Sequence, residues 1–290
     1  MQKIDINSFI QHQKLPTNYV QLAEQYFFPM AKQIVEQQQK TNKPLILGIN
    51  GAQGSGKSTL AELLVFLFKQ DYQVNSVAIS IDDFYFTRQQ RIELAENIHP
   101  LLATRGVPGT HDVLLAQQTL DSLIQGKKPV SIPRFNKADD DRYAQEQWDV
   151  LEHPVDIIVF EGWCLGAEAQ KVDDLKQPVN ALEKNYDTGL VWRNYVNQQL
   201  QYEYATLFNK VDLWIMLKAP NFDCIFNWRL QQENKLRASI KDNNKTMDAD
   251  EVKQFIQYYQ RITEYLLKTL PNKVDYLFEL DEQRNIIHKA

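Results

Sequence analysis

The stretch LILGINGAQGSGKST, residues 45–59, decides the fold of this 290-residue chain. Its first part, LILGIN, is a short apolar run typical of a buried strand. The second part, GAQGSGKST, satisfies the pattern G-x-x-x-x-G-K-[ST], and the apolar run after it predicts a buried helix. Glycines let backbone N–H groups turn inward around phosphate oxygens, and the start of the helix adds its positive end. The order strand, glycine loop, helix therefore predicts a phosphate-binding loop (P-loop).

The P-loop predicts which residues bind a nucleotide and its metal ion. We expect Lys57 to reach the β- and γ-phosphates and the Ser58 hydroxyl to join the shell of a Mg²⁺ ion. The predicted nucleotide-binding residues of the loop are Gly51, Ala52, Gln53, Gly54, Ser55, Gly56, Lys57, Ser58 and Thr59.

The P-loop motif is common to small-molecule kinases, GTPases and motor ATPases. NKVD at 209–212 and 272–275 resembles a guanine-reading motif, but each copy precedes a predicted strand instead of following one, which argues against a GTPase.

Four more apolar runs extend the predicted sheet. They are SVAISI (76–81), DIIVFEG (156–162), LWIML (213–217) and VDYLFEL (274–280). A helix separates the first two strands, and such a unit favours parallel pairing. The sequence therefore predicts a three-layer α/β sandwich, in which about five parallel strands carry helices on both faces.

Composition and charge exclude several classes of protein. The chain has 32 basic and 37 acidic residues and a formal charge of −5, which argues against general nucleic-acid binding. Its two cysteines, Cys164 and Cys224, have no zinc-binding spacing. No run approaches the length of a membrane span, and the first residues lack the layout of a signal peptide. We expect a soluble cytoplasmic protein that binds neither membranes nor nucleic acid.

Acidic residues follow two of the predicted strands, at the sheet edge where the P-loop also lies. Asp82 and Asp83 come after the second strand, and Glu161 ends the run DIIVFEG. A carboxylate at this edge could accept the proton of an attacking hydroxyl or help to hold Mg²⁺. Alternatively, an aspartate here could cap a helix starting near Phe84, which suits Asp83 better than Asp82. We therefore predict Ser58, Glu161 and Asp82 as metal-binding residues.

Six motifs occur in an order that is similar to one known family. They are GAQGSGKSTL, SIDDFYFTR, RGVPGTHD, IPRFNKADDDR, FEGWCLG and NWRLQQENKLR. Across residues 40–285 the chain resembles the D-glycerate 3-kinase family, which sits among P-loop kinases with uridine kinase, phosphoribulokinase and pantothenate kinase. The resemblance implies ATP- and Mg²⁺-dependent phosphorylation of a small hydroxylated metabolite, D-glycerate giving 3-phosphoglycerate.

The resemblance also implies roles for residues of the acceptor region. By its match to the DDFY motif, Asp82 looks like the catalytic base. We expect Tyr85 to lie in the wall beneath the acceptor and to contact the substrate. Arg105 and His111 would contact the acceptor, although a solvated loop arginine and a polar helix-start residue are the alternatives. Asp112 fits a helix N-cap better than a ligand.

Basic residues of two further segments complete the predicted site. Arg134, Lys137 and Arg142 lie in a loop that could bind a substrate carboxylate, unless it is a solvated loop neutralised by the run 139–141. Arg229 and Arg237 are eight residues apart on one helix face, where the resemblance implies a lid that approaches the ATP phosphates. A surface helix with an ion pair from Arg229 to Glu233 is the alternative. The predicted catalytic residues are Asp82, Lys57, Arg229 and Glu161.

These predictions define an organisation and a function. Residues 1–40 would form a helical N-terminal extension and residues 41–290 a kinase domain. Within it, 163–210 would be a helical acceptor or lid insertion and 221–240 a lid helix. The leading hypothesis is a glycerate kinase. The alternatives are a kinase of the same fold acting on a nucleoside, pantothenate or another sugar acid, and a regulatory or adaptor protein that binds ATP without transferring phosphate.

Overall fold

A six-stranded sheet forms the centre of the computed structural model, which describes residues 6–239 and 246–289. The strands of this part of the chain, including short pairs outside the central sheet, are β1 (Leu45–Gly51), β2 (Ser76–Ser80), β3 (Val130–Ile132), β4 (Phe135–Asn136), β5 (Asp141–Arg142), β6 (Asp149–Leu151), β7 (Ile157–Gly162), β8 (Leu213–Lys218), β9 (Tyr276–Leu280) and β10 (Ile286–Lys289). The sheet order is β10-β9-β8-β1-β7-β2. Five of its strands run parallel, as predicted, and β10 pairs antiparallel with β9. The antiparallel strand was missed, because it is short and three of its four residues are exposed.

Helices cover both faces of the sheet. Over the described residues they are α1 (Asn7–His12), α2 (Tyr19–Leu22), α3 (Phe28–Gln38), α4 (Lys57–Tyr72), α5 (Arg88–Asn97), α6 (Val113–Ile124), α7 (Ala181–Tyr186), α8 (Val191–Gln199), α9 (Ala205–Phe208), α10 (Phe222–Ser239) and α11 (Ala249–Thr269). Strand β1 is buried along its whole length because alternate side chains enter two separate cores. One core contains residues of α6, α8 and α11, and the other contains residues of α1, α3, α4 and α10. The predicted three-layer α/β sandwich is confirmed.

The N-terminal helices pack on the α4 side of the sheet. Phe9, Phe27 and Met30 are buried in the same core as α4 and β1. A π-helical segment, Ala23–Phe27, joins α2 to α3. Pro29 is the second residue of α3, directly after the π-helical segment, and its fixed φ suits a helical position. The helix type therefore changes directly before Pro29.

Aspartates cap the starts of two helices, and the cap at Asp112 confirms the prediction for that residue. Asp112 accepts a hydrogen bond from the N–H of Leu115 at 3.0 Å, which makes it the N-cap of α6. Asp248 and Glu251 form a reciprocal capping box at the start of α11. None of the helices within the described ranges is long and apolar enough to cross a membrane.

Topology brings the predicted site residues to one edge. Strand β7 lies between β1 and β2, and its register places Gly162 opposite Asn50 and Glu161 opposite Ser80. The loops that follow these three parallel strands therefore leave the sheet side by side. The P-loop, the segment that begins at Asp82, and Glu161 share this edge, as open α/β sheets require of a ligand site.

Candidate active site

The P-loop has a tightly held backbone between β1 and α4. Gly54 and Gly56 adopt left-handed conformations, with φ of +78° and +95°. The N–H of Ser55 donates to the carbonyl of Ala52 at 3.1 Å, which closes a turn within the loop. A Cβ at Gly54 would lie 2.7 Å from the Cβ of Trp228, so only glycine fits there. The loop is shaped by its own glycines and by close contact with α10.

Asn50, the last polar residue of β1 before the loop, fixes the neighbouring strand end. Its buried amide donates to the carbonyls of Trp163 at 3.1 Å and Leu165 at 2.7 Å. These two carbonyls belong to the segment just after Glu161. The amide therefore holds the segment after β7 against the P-loop strand. Sequence reasoning missed Asn50 because it looked like the polar end of a strand.

Glu161, Ser58 and Lys57 meet beneath the P-loop. The Ser58 hydroxyl donates to Glu161 Oε1 at 2.9 Å, and Lys57 Nζ lies 3.9 Å from Glu161 Oε2. Burial raises the pKa of Glu161, while Lys57 acts in the opposite direction. The Oε2 atom is buried and has no hydrogen-bond partner among the described residues. A buried carboxylate oxygen beside a hydroxyl suits a hard divalent cation, which prefers oxygen ligands.

The cation would need ligands from outside the protein. No group of three or more His, Cys, Asp or Glu side chains suited to a metal occurs in ranges 6–239 and 246–289. Mg²⁺ in kinases characteristically takes one or two protein oxygens and completes its shell with nucleotide phosphates and water. The pair Ser58 and Glu161 fits that pattern.

Asp82 has both carboxylate oxygens occupied by neighbouring side chains. Tyr85 donates its hydroxyl to Oδ1 at 3.0 Å, and Lys137 Nζ contacts Oδ2 at 2.7 Å. Burial by itself would raise the pKa of Asp82, but Lys137 and Lys57 outweigh it and hold that pKa below its usual range. Asp82 is therefore ionised at neutral pH. The structure brings it together with Lys137, as the basic-loop hypothesis requires.

His111 lies in an aromatic stack behind Asp82. Its ring stacks on Tyr85 with centroids 4.3 Å apart, and its Nδ1 lies 2.6 Å from the Tyr204 hydroxyl. Burial lowers the pKa of His111 to about 3, so the imidazole is neutral near pH 7. Its Nε2 is buried and has no hydrogen-bond partner among described residues. Tyr204 was missed, since nothing local distinguishes it from the other aromatics of its helix.

Asp83 does not cap a helix, so the preferred alternative for this residue is wrong. Its carboxylate accepts from Arg134 at 2.7 Å and from the N–H of Phe135 at 3.3 Å. The turn after β2 is instead capped by Ser80, whose hydroxyl accepts from the N–H of Asp82 at 3.3 Å. Asp83 thus fixes the start of the basic loop relative to β2, and Arg134 is engaged by this contact and by Asp149.

The guanidinium of Arg142 supports the backbone beneath the predicted acceptor wall. It donates to the carbonyl of Tyr85 at 2.8 Å and lies 3.4 Å from the carboxylate of Asp112. Strand pairing explains this position, because Arg142 stands opposite Phe135 in the β4–β5 pair. The structure therefore gives Arg142 a supporting contact, and its direct binding of an acceptor stays a prediction.

A buried arginine cluster anchors the tip of the basic loop. Arg91 is fully buried on α5 and pairs with Asp140 at 2.8 Å. Arg105 contacts the same carboxylate, and the two guanidinium groups lie 5.6 and 5.4 Å from the ring centroid of Phe135. Arg105 is half-buried and so is not the solvated loop arginine of the alternative. Arg91 was missed, because α5 reads as a polar surface helix.

The two arginines of α10 have different surroundings. Arg229 forms the ion pair with Glu233 that the surface-helix alternative anticipated, and its guanidinium lies 5.7 Å from the ring centroid of Phe255. Glu233 itself is buried. Arg237 donates to the Thr246 hydroxyl at 3.1 Å and to the Met247 carbonyl at 2.9 Å, just before α11. Arg229 and Arg237 therefore brace α10 against α11, and their role as lid residues stays a prediction.

Comparison with known proteins identifies kinases of similar sequence. The chain is 36% identical over 255 residues to an uncharacterized kinase of Schizosaccharomyces pombe, covering 84% of this chain and 88% of that protein. It is 32% identical over 262 residues to the chloroplastic D-glycerate 3-kinase of Arabidopsis thaliana, covering 84% of this chain and 54% of that protein. The chain thus spans about half the length of the plant enzyme.

Solved structures show the same fold. A D-glycerate 3-kinase from Cryptococcus neoformans superposes with a TM-score of 0.73 at 24% identity, covering 90% of this chain and 97% of that chain. No family model matches the sequence.

Proposed function

This chain belongs to the D-glycerate 3-kinase family of P-loop kinases, and on that premise we propose that it phosphorylates D-glycerate to 3-phosphoglycerate with ATP and Mg²⁺. Kinase relatives imply ATP as phosphate donor and a small molecule as acceptor. One observation carries the finer proposal. An ionised carboxylate, Asp82, stands at the P-loop edge in contact with an exposed lysine of a basic loop, Lys137.

The nucleotide side of the proposal uses the P-loop and the carboxylate beneath it. The backbone of residues 51–59 would hold the phosphates, and Lys57 would place positive charge beside the transferred group. Mg²⁺, when bound at Ser58 and Glu161, would neutralise charge on the phosphate oxygens. Arg229 would add a positive charge from α10, the proposed lid helix.

The acceptor side of the proposal assigns the proton to Asp82. The acceptor hydroxyl oxygen forms a bond to the γ-phosphorus while the bond from that phosphorus to the β-bridging oxygen breaks, releasing ADP. The hydroxyl proton passes to Asp82, whose carboxylate is ionised and already accepts a hydrogen bond from Tyr85. Such transfer depends mainly on positioning and electrostatic stabilisation, which a rigid carboxylate in a lysine-rich setting supplies.

Lys137 is the residue we propose for the acceptor carboxylate. Its side chain is 61% exposed, and its ammonium lies 2.7 Å from Asp82, so a small acid bound there would have its hydroxyl near the base. Asp82 raises the pKa of Lys137, which keeps the ammonium charged. Arg105, half-buried beside the loop tip, is a second positive charge in reach of the loop. An acceptor with a carboxylate suits this arrangement better than a nucleoside.

Lys137→Gln is expected to raise KM for D-glycerate by about 10- to 100-fold, since hydrogen bonds to charged groups contribute roughly 1.5–3 kcal/mol. KM for ATP should stay close to the wild-type value. Because Lys137 also holds the pKa of Asp82 down, its removal should move the acid-side fall of kcat/KM to higher pH. Steady-state ADP release across pH measures both effects. Lys127→Gln, an exposed lysine outside the site, is the control, and equal KM values in the two variants would contradict the assignment.

Purified protein with ATP, Mg²⁺ and a panel of acceptors tests the function. D-glycerate should give the highest kcat/KM, and 3-phosphoglycerate should be the product identified by NMR. A higher value for a nucleoside, pantothenate or another sugar acid would favour a kinase of the same fold with that acceptor. Tight ATP binding without stimulation by any acceptor would favour the regulatory or adaptor hypothesis.

A further inference from the structure

Residues of the β9–β10 connection reach across the sheet edge to the P-loop. The connection, residues 281–285, is a tight turn organised by Asp281, whose Oδ1 accepts from the N–H groups of Gln283 at 2.9 Å and Asn285 at 2.7 Å. Arg284 adopts a left-handed conformation with φ of +70°, which is uncommon for a residue with a side chain. The turn therefore holds Arg284 in an unusual backbone conformation, from which its side chain leaves the hairpin.

The Arg284 side chain ends on the P-loop. Its Nε donates to the carbonyl of Gly54 at 2.6 Å. This carbonyl belongs to the peptide unit between Gly54 and Ser55, and the N–H of that same unit donates to Ala52 at 3.1 Å. Both ends of one peptide unit in the phosphate cradle are thus fixed. The orientation of that unit determines where the following N–H groups of the loop point.

The same guanidinium also holds α10. It lies 5.1 Å from the ring centroid of Trp228 and donates through Nη1 to Gln231 at 2.9 Å. Trp228 is fully buried, and its Nε1 donates to the carbonyl of Glu282 in the turn at 2.7 Å. The Cβ of Trp228 occupies the space beside Gly54 that any other side chain at that position would need.

We infer that Arg284 is a positioning residue for the nucleotide, acting through the Gly54–Ser55 peptide unit and the adjoining turn of α10. It joins three parts of the chain that have no sequence proximity: the P-loop, the middle of α10 and the β9–β10 turn. Arg229 is the next residue after Trp228, so the contacts that hold Trp228 also fix the backbone position of Arg229. Arg284 shapes the phosphate site without belonging to the P-loop motif. The inference concerns ATP binding and does not depend on which acceptor the protein uses.

Arg284→Ala is expected to raise KM for ATP and the dissociation constant of ADP by about tenfold each, because a charge-assisted hydrogen bond to the cradle is lost. KM for the acceptor should change by less than about twofold, since no acceptor residue is touched. Arg284→Lys should recover part of the affinity, because an ammonium can still donate to the carbonyl but lacks the planar guanidinium. Titration calorimetry with ADP measures the affinity without any acceptor or turnover.

Controls separate positioning from general stability. Lys273→Ala removes an exposed ion pair to Glu168 at the opposite end of β9, and it should leave ADP affinity and KM unchanged. Thermal unfolding of all variants reports stability. Unchanged ADP affinity in Arg284→Ala with a native melting temperature would overturn the inference. A lower melting temperature together with weaker ADP binding and a higher KM for the acceptor, with no recovery in Arg284→Lys, would also overturn the inference. Such a result would indicate that Arg284 has only a structural role. If D-glycerate proved inactive as acceptor, the ADP titration would still decide the point.

Discussion

Asp82→Asn is expected to lower kcat for D-glycerate phosphorylation by about 10²- to 10⁴-fold, the range that general-base catalysis contributes. The amide keeps the shape of the carboxylate and can still accept the hydrogen bond from Tyr85. It has no negative charge, so it neither takes the proton of the acceptor hydroxyl nor pairs with Lys137. The variant therefore removes the proposed base and also releases Lys137, and loss of the base is expected to appear in kcat at saturating acceptor. ADP release at saturating ATP and D-glycerate measures kcat, and calorimetry with ADP should show affinity close to wild type.

The neighbouring aspartate provides a matched control for this prediction. Asp83→Asn also replaces a carboxylate in the same short turn, but its partners are Arg134 and the backbone of Phe135. Its loss should loosen the basic loop and raise KM for the acceptor, with kcat reduced by less than about tenfold. Turnover in Asp82→Asn within about threefold of wild type would mean that Asp82 is not the base. A larger kcat loss in Asp83→Asn than in Asp82→Asn would transfer the role to Asp83.

Much of the fold followed from short-range signals in the sequence. The P-loop motif is contiguous, so residues 45–59 and the apolar run after them predicted a strand, a glycine loop and a helix in that order. Parallel strands place their carboxyl ends at one edge, and this rule was enough to predict that Asp82 and Glu161 lie beside the P-loop. The caps at Asp112 and Asp248 were also predictable, because a cap bonds within three residues of itself.

Contacts between segments that are distant in the sequence could not be predicted from these short-range signals. Arg91 binds Asp140, and the pair is separated by 49 residues along the chain. No periodicity in α5 marks Arg91 as buried, because burial of an arginine depends on a partner that the local sequence does not contain. The same reason explains why the sequence did not reveal the role of Arg284, whose partner Gly54 lies 230 residues away. Asp83 was expected to cap a helix but forms an ion pair with Arg134. An aspartate can do either, and the local sequence does not distinguish the two roles.

The buried carboxylate of Glu161 destabilises the fold, although the site is proposed to need its charge. The side chain is buried, and burial raises its pKa, so the ionised form is disfavoured in the folded chain. A carboxyl group with a raised folded pKa stabilises the fold fully at pH below its unfolded pKa. That contribution is lost as pH rises through the folded pKa. An ionised Glu161 therefore costs stability, which suits a carboxylate retained for a bound cation.

Glu161→Gln is accordingly expected to separate activity from stability. The amide can keep the hydrogen bond from Ser58, but it removes the negative charge proposed to hold Mg²⁺, so kcat should fall by about 10²-fold or more. The Mg²⁺ concentration for half-maximal activity should rise. The melting temperature at pH 7 should equal or exceed that of wild type, and its pH dependence should flatten, because the buried charge is gone. Coupled ADP-release assays over a Mg²⁺ series and thermal unfolding between about pH 4 and 8 measure these effects.

Glu168→Gln controls for loss of a carboxylate near Glu161 in the chain, in the segment that follows β7. Glu168 pairs with Lys273 at 2.6 Å and is mostly exposed, so its replacement should change neither the Mg²⁺ dependence nor kcat, and exposed pairs contribute little to stability. Retention of wild-type Mg²⁺ dependence in Glu161→Gln would remove Glu161 from the metal site. A melting temperature lowered by more than about 5 °C would show that the contact with Lys57, at 3.9 Å, is a stabilising ion pair. In that case the charge of Glu161 would stabilise the fold, and linkage would require a lowered pKa for Glu161 in place of a raised one.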